Sequence, residues 1–333
     1  VRAVDLTVGG LVERALGALD LAPSTREHWD RIARVDILPL AHLPAAQLRF
    51  SDVRNWQRDL GKRSRWSSNR AFEVLRRAYR WAVREERLLS ENPCEGISKL
   101  FDEPPNDRVL SADELRRLLG AVHRLREEFG PYADATLLLL LTLVRRSSVL
   151  GMRHEELQDL DGNDARWAVP SERSKSGRPH VVPLTAAARS VVRRRLEVVE
   201  SDLGPGRSFL FPAGGKASGA DQPMTWSSGW MLALREEMRP VNDDYTPGPR
   251  DARWSVHTFR ASGSTHLIED LGVSRHVVSL LLGHTMPGPA ATRVYDRSEL
   301  LPERRAALTR WADWLGRLSG DTRGDTHGSA DPN

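Results

Sequence analysis

Leu137 to Val144 is an apolar run interrupted only by Thr142, and it ends on the pair Arg145–Arg146. It is far too short to cross a bilayer, which takes about 20 residues of helix, so it reads as a buried helix. A chain with such a helix must build a core around it, and whatever follows the helix is set on a rigid packed base. The 333 residues, 40% apolar and 28% charged, are enough for that core and for about two domains.

Periodicity divides the chain around this helix. Residues 1–100 read as all helix. Leu11, Leu16 and Leu19 mark a first amphipathic segment, and the capping-box match Ser24-Thr25-Arg26-Glu27 starts a second. A third runs from Phe50 to Leu60 and ends at Gly61. A fourth begins near Ser67 or Ser68 and continues to about Leu88, ahead of Asn92–Pro93. Phe72, Leu75, Tyr79 and Val83 form its apolar stripe. Residues 101–110 contain Pro104-Pro105-Asn106-Asp107 and read as a connector.

Ser111-Ala112-Asp113-Glu114 is another capping-box match and opens a second domain, residues 111–318, with a helix to about Phe129. Beyond Arg145 the period changes to alternation, in Leu157–Leu160, Arg166–Val169 and His180–Leu184, with Gly177 in the turn before the last of these. The fold class is therefore mainly α with a small antiparallel β-sheet. Thr185 caps an arginine-rich helix, and Gly204 to Pro223, rich in glycine and proline, reads as a loop. Helices follow at Trp226–Met238, from Val256 to Gly272, at Arg275–Leu282 and at Pro302–Leu318. The last carries Trp311 and Trp314 and has two uses, docking on a neighbouring subunit or packing within its own. Residues 319–333 read as a polar disordered tail.

The charge pattern narrows the class of partner. Net charge is only +4, yet the sequence pI is about 9.5, a balance suited to basic surfaces facing nucleic acid. Arginine supplies nearly all of it, since only Lys62, Lys99, Lys175 and Lys216 are lysine. A lysine kept in such a chain suits proton transfer, which an always-protonated arginine cannot perform. Cys94 is the one cysteine, so an intramolecular disulfide or cysteine-built metal site is excluded and a reducing cytosol fits.

His257 and Arg260, three apart on a helix, can reach one anion together. Joined by Arg145, Lys175, His284 and Tyr295, they supply two guanidinium groups, a lysine, two imidazoles and a phenol. Such a set fits a phosphate that gains charge during reaction, with the phenol as nucleophile. Arg146, Arg178 and His180 read as supports, and His154, His266 and His276 as surface or core. Arg63, Arg65, Arg70, Arg76, Arg77 and Arg80 gather around the fourth helix and read as a phosphate-tracking surface, with a solvated face as the bland alternative. Arg178 is a further candidate DNA contact.

These segments resemble the tyrosine recombinases of the bacteriophage integrase type. Thr142-Leu143-Val144-Arg145-Arg146-Ser147-Ser148 is similar to the family's T-G-L-R-R-S-E segment, and Ser174-Lys175-Ser176-Gly177-Arg178-Pro179-His180-Val181-Val182-Pro183-Leu184 to its T-K-T-G-R-P-H-V-V-P-L hairpin. H-x-x-R, L-G-H and V-Y-D-R segments follow in the family's order, over roughly Ser24 to Leu318. The resemblance implies a helical core-binding domain plus a mixed α/β catalytic domain. It also implies a site-specific recombinase that cuts DNA through a 3′-phosphotyrosyl intermediate, with no metal, nucleotide or other cofactor.

Arg145, Lys175, His257, Arg260, His284 and Tyr295 are the expected catalytic residues. The expected partners are double-stranded DNA, a homotetramer on two duplexes and an accessory DNA-bending or directionality factor, in a bacterial cytosol. The chain departs from the family at Leu143, where glycine is usual, at Ser148, where an acid is usual, and in a longer His284–Tyr295 spacing. The competing readings are a DNA-binding protein on this fold that no longer cuts, and a strand-nicking topoisomerase-like enzyme.

Overall fold

A computed structural model of the chain describes residues 6–103, 107–174, 177–203, 207–214, 221–239, 254–284 and 300–320. The chain divides into two compact units, Val1–Asn106 and Asp107–Asn333.

The first unit is built from α1 (Val8–Ala18), α2 (Pro23–Val35), α3 (Phe50–Arg63) and α4 (Arg65–Arg80). The Thr7 hydroxyl caps α1, which buries Val8, Leu11, Val12, Ala15 and Leu16. The expected capping box at Ser24 does not form. Instead α2 starts with Pro23 after an uncapped Ala22, because proline's fixed φ already suits the first helical position. Nor does Gly61 end α3: the Phe101 ring lies where a Cβ at position 61 would stand, so glycine admits a close approach inside the helix. Ser64 caps α4, which therefore begins ahead of the expected Ser67 and passes into a π turn at Trp81–Glu85. Phe72, Leu75 and Tyr79 are fully buried, and the Tyr79 hydroxyl donates to Ala45 O at 3.0 Å.

In the second unit the capping box between Ser111 and Glu114 forms as expected and starts α5 (Ala112–Arg124). The chain then breaks at Leu125, short of Phe129, and α6 (Arg126–Thr142) is kinked at Phe129 next to Pro131. Its apolar run is buried from Leu138 to Val144. A short α7 (Arg146–Leu150) leads to strands β1 (Leu157–Gln158), β2 (Arg166–Val169) and β3 (His180–Pro183). They pair antiparallel in the order β1-β2-β3, with Trp167 opposite Val182 and Ala168 opposite Val181. The architecture is thus mainly α with one small antiparallel sheet, as its alternating segments indicate.

Thr185 caps α8 (Ala186–Val198), which packs on α6. Within the stretch read as loop, Phe209, Leu210 and Phe211 are core residues. The tertiary fold buries them although glycine and proline hide any period. The helices α9 (Ser228–Glu237), α10 (Val256–Glu269), α11 (Arg275–Leu281) and α12 (Leu301–Gly320) complete the unit.

α10 ends three residues before Gly272, and α12 runs two residues past Leu318. Of the two uses open to α12, Trp311 shows packing within its own unit: it is fully buried and its indole donates to Leu140 O of α6 at 2.7 Å. The remainder of the expected tail lies outside the described residues. Among the described residues no helix is long and apolar enough to cross a membrane.

Candidate active site

α6 ends in a left-handed residue, Leu143 (φ 55°, ψ 22°). That conformation costs a non-glycine residue about 1 kcal/mol and explains why glycine suits the position. Here the leucine side chain fills space that Gly263 of α10 leaves open, since a Cβ on Gly263 would run into it. Leucine at position 143 and glycine at position 263 thus fit together across the α6–α10 contact.

The turn brings Arg145 to the start of α7, half-buried, with no hydrogen bond or ion pair to its side chain among the described residues. Buried Ser148 stands where an acid would brace it. The neighbouring carboxylate, Glu156, is engaged elsewhere, accepting from Arg173 and, at 2.9 Å, from the Trp167 indole. Arg173 in turn donates to Ser148 O at 3.3 Å and to Gly151 O.

Arg260 projects inward from α10, 6% exposed. Its Nη1 donates to Leu143 O at 2.7 Å, and its Nη2 donates to Leu282 O and stands 3.3 Å from His284 Nε2. One guanidinium therefore ties the end of α6, two residues before Arg145, to the end of α11, two residues before His284. A guanidinium carries five N–H donors, so some remain for an anion. No carboxylate faces it among the described residues. Burial, and then the nearby Arg145 charge, pull the Arg260 guanidinium down to about 10.

His284 follows Gly283 (φ 58°), whose left-handed turn ends α11. With Nε2 turned to the Arg260 donor, the proton of the neutral ring sits on Nδ1. Burial lowers its pKa, and the Arg260, Arg145 and His257 charges lower it further. His257 lies exposed one turn before Arg260 on α10. Arg145, His257, Arg260 and His284 thus form one cationic group assembled from α6–α7, α10 and α11.

Lys175 and Tyr295, the other two expected catalytic residues, lie outside the described residues, and Arg178 is exposed beside the hairpin. His180 and Arg304 stand close to the group, and spacing gave no sign of Arg304, whose Nη2 donates to Val181 O. Among the described residues no cluster of His, Cys, Asp and Glu could hold a metal ion.

In the first unit the candidate DNA-contacting arginines are mostly engaged. Arg63 bonds the buried Asp36 carboxylate at 2.6 Å, Arg70 bonds Glu73 and Glu103 at 2.8 Å each, and Arg77 bonds Glu85 at 2.7 Å. Arg65 lies over the Phe101 ring and Arg76 over Phe72. Arg80 is exposed and has no such partner among the described residues.

Known proteins are similar to the chain in sequence and in fold. The chain is 27% identical to an integrase of Mycobacterium phage FRAT1 over 85% of its own length and 81% of the relative's. It is also 27% identical to tyrosine recombinase XerC of Anoxybacillus flavithermus, over 75% of this chain and 77% of that one.

Among solved structures, the Tn1549 transposon integrase in complex with circular intermediate DNA matches with a TM-score of 0.62 at 16% identity, over 87% of this chain and 95% of that one. A lambda integrase tetramer bound to a Holliday junction matches with a TM-score of 0.61 at 16% identity, over 85% and 78%. At those identities the structures share the fold. The model of the phage integrase family matches residues 108–299, more than half of the sequence and the whole of the region that carries the cationic group, and the chain belongs to that family of tyrosine recombinases.

Proposed function

We propose that the chain cleaves and rejoins double-stranded DNA at a specific site by transesterification onto Tyr295. The phenol oxygen forms a bond to phosphorus and the bond from phosphorus to the 5′ oxygen breaks. The products are a 3′-phosphotyrosyl enzyme and a free 5′ hydroxyl. Arg145 and Arg260 hold the two non-bridging oxygens, His284 donates to one of them, His257 takes the phenol proton and Lys175 gives a proton to the leaving 5′ oxygen. The intermediate keeps the bond energy, so a hydroxyl on another strand reverses the step without metal or nucleotide.

The observation that carries this reading is the convergence of Arg145, Arg260, His257 and His284 with no carboxylate to neutralise the two arginines among the described residues. Positive charge gathered from three separate elements without a facing carboxylate is costly to hold, and an incoming phosphate offsets that cost. Four subunits on two duplexes would exchange strands pairwise, with residues 1–100 as the core-binding domain that grips one side of the duplex. A DNA-bending or directionality factor and a bacterial cytosol complete the proposal.

Incubation with a nicked suicide duplex carrying the cognate recombination site is the test. A covalent protein–DNA adduct on a denaturing gel, absent from Tyr295→Phe, supports the reading. An adduct that persists in Tyr295→Phe overturns it.

A further inference from the structure

His180 opens β3, and its ring lies flat beneath the turn that presents His284. A Cβ built on Gly283 would stand 3.3 Å from Nδ1, 3.4 Å from Cε1 and 3.5 Å from Cγ of that ring, a tight contact at a left-handed position (φ 58°) that already favours glycine. The imidazole donates to Leu281 O, and Nε2 is buried with no hydrogen-bond partner among the described residues, so the proton is on Nδ1.

The C-terminus of a helix leaves carbonyl groups without intrahelical partners. At the end of α11 the carbonyls of Val278, Ser279 and Leu280 accept from Leu282, His284 and Gly283 at 3.0 to 3.1 Å. Leu281 O and Leu282 O are then taken by two side chains from elsewhere, His180 of β3 and Arg260 of α10. Val181, next along β3, is held by Arg304 of α12. Three elements therefore meet under a single turn of four residues.

We infer that His180 is a positioning residue for His284, its Nδ1–H fixing the Leu281–His284 turn so that His284 meets both Arg260 and the scissile phosphate. The inference rests on the phosphate-binding reading of His284. The ring must stay neutral to serve: a proton on Nε2 would be buried against the Arg304, Arg260 and Arg145 guanidinium groups. Asparagine places an amide donor where Nδ1 lies, whereas glutamine places one where Nε2 lies. The side chain's effect is therefore separable from the presence of a polar group.

The experiment measures single-turnover cleavage of the suicide duplex by the full chain, together with urea stability. His180→Asn is expected within about threefold of the parent and His180→Gln slower by about 10- to 100-fold, as for displaced supports of reacting groups. In a His284→Ala background, His180→Gln is expected to change the rate by less than about twofold, because the group it positions is gone. Equal rates for the asparagine and glutamine variants, or an undiminished effect of His180→Gln in the His284→Ala background, overturn the inference. If His284→Ala itself cleaves at the parent rate, the phosphate role of His284 fails instead, which keeps the two failures distinct.

Discussion

The arginines of α4 and those of the second unit's cationic group are the same residue type in opposite circumstances. Arg70 and Arg77 sit at the surface with carboxylates at 2.7 to 2.8 Å, so their charge is spent within the fold. Among the described residues, Arg260 is buried and bonded only to carbonyl oxygens and an imidazole, and Arg145 has no partner. A paired surface arginine contributes little to stability and leaves little field for a ligand. An unpaired one at a packed helix end leaves its field for an incoming phosphate. Arginine count thus says where charge is abundant, and carboxylate placement says where it is available.

The strongest test of that contrast compares Arg145→Ala with Arg260→Ala. Both should lose about a hundred- to a thousandfold in cleavage rate. Only Arg260→Ala should also lose about 2–4 kcal/mol of stability in urea titration, because it strands Leu143 O and Leu282 O. If both variants are equally stable, Arg260 is not the tie described above.

Acid titration comes next. The His180 imidazole is held down at about 4, first by burial and then by Arg304, Arg260 and Arg145. Its folded pKa lies below the unfolded value of about 6.5, so the unfolded chain binds the extra proton first. Stability is complete above about pH 6.5 and declines as pH falls toward 4, by up to about 3 kcal/mol. His180→Asn should show less of that decline when urea midpoints at about pH 7 and about pH 4.5 are compared, and an identical decline would refute the assignment.

A smaller effect concerns the contact between Leu143 and Gly263. Gly263→Ala should cost about 1–3 kcal/mol by overpacking against Leu143. Leu143→Gly relieves the left-handed strain but opens a cavity. The double variant should be more stable than the sum of the two single changes implies, and simple additivity in thermal melts would count against the contact. Smallest of all, Arg70→Ala should cost under about 1 kcal/mol, since its partners Glu73 and Glu103 also bind Lys99.

The helices of both units were legible wherever an apolar stripe met a cap, as at Ser111 and Thr185, and the three strands where alternation replaced it. Boundaries failed where a neighbour decided them: Phe101 let α3 run through Gly61, and Pro23 started α2 without a side-chain cap. Phe209, Leu210 and Phe211 escaped notice because a segment too short for a period is buried by its surroundings. Arg145, His257, Arg260 and His284 stood out by type and order. What was not legible was Arg260 as a tie between two helix ends, or Arg304 beside His180.

By itself the sequence determined the helical class, the small sheet and the ordered set of cations, because periodicity, capping and residue chemistry are local properties. Only the tertiary structure decided which cations face which groups. Arg260 reaches a carbonyl 117 residues away, and that meeting depends on a left-handed turn at Leu143, a glycine at position 263 that makes room for it, and the packing of three helices and a strand around one turn.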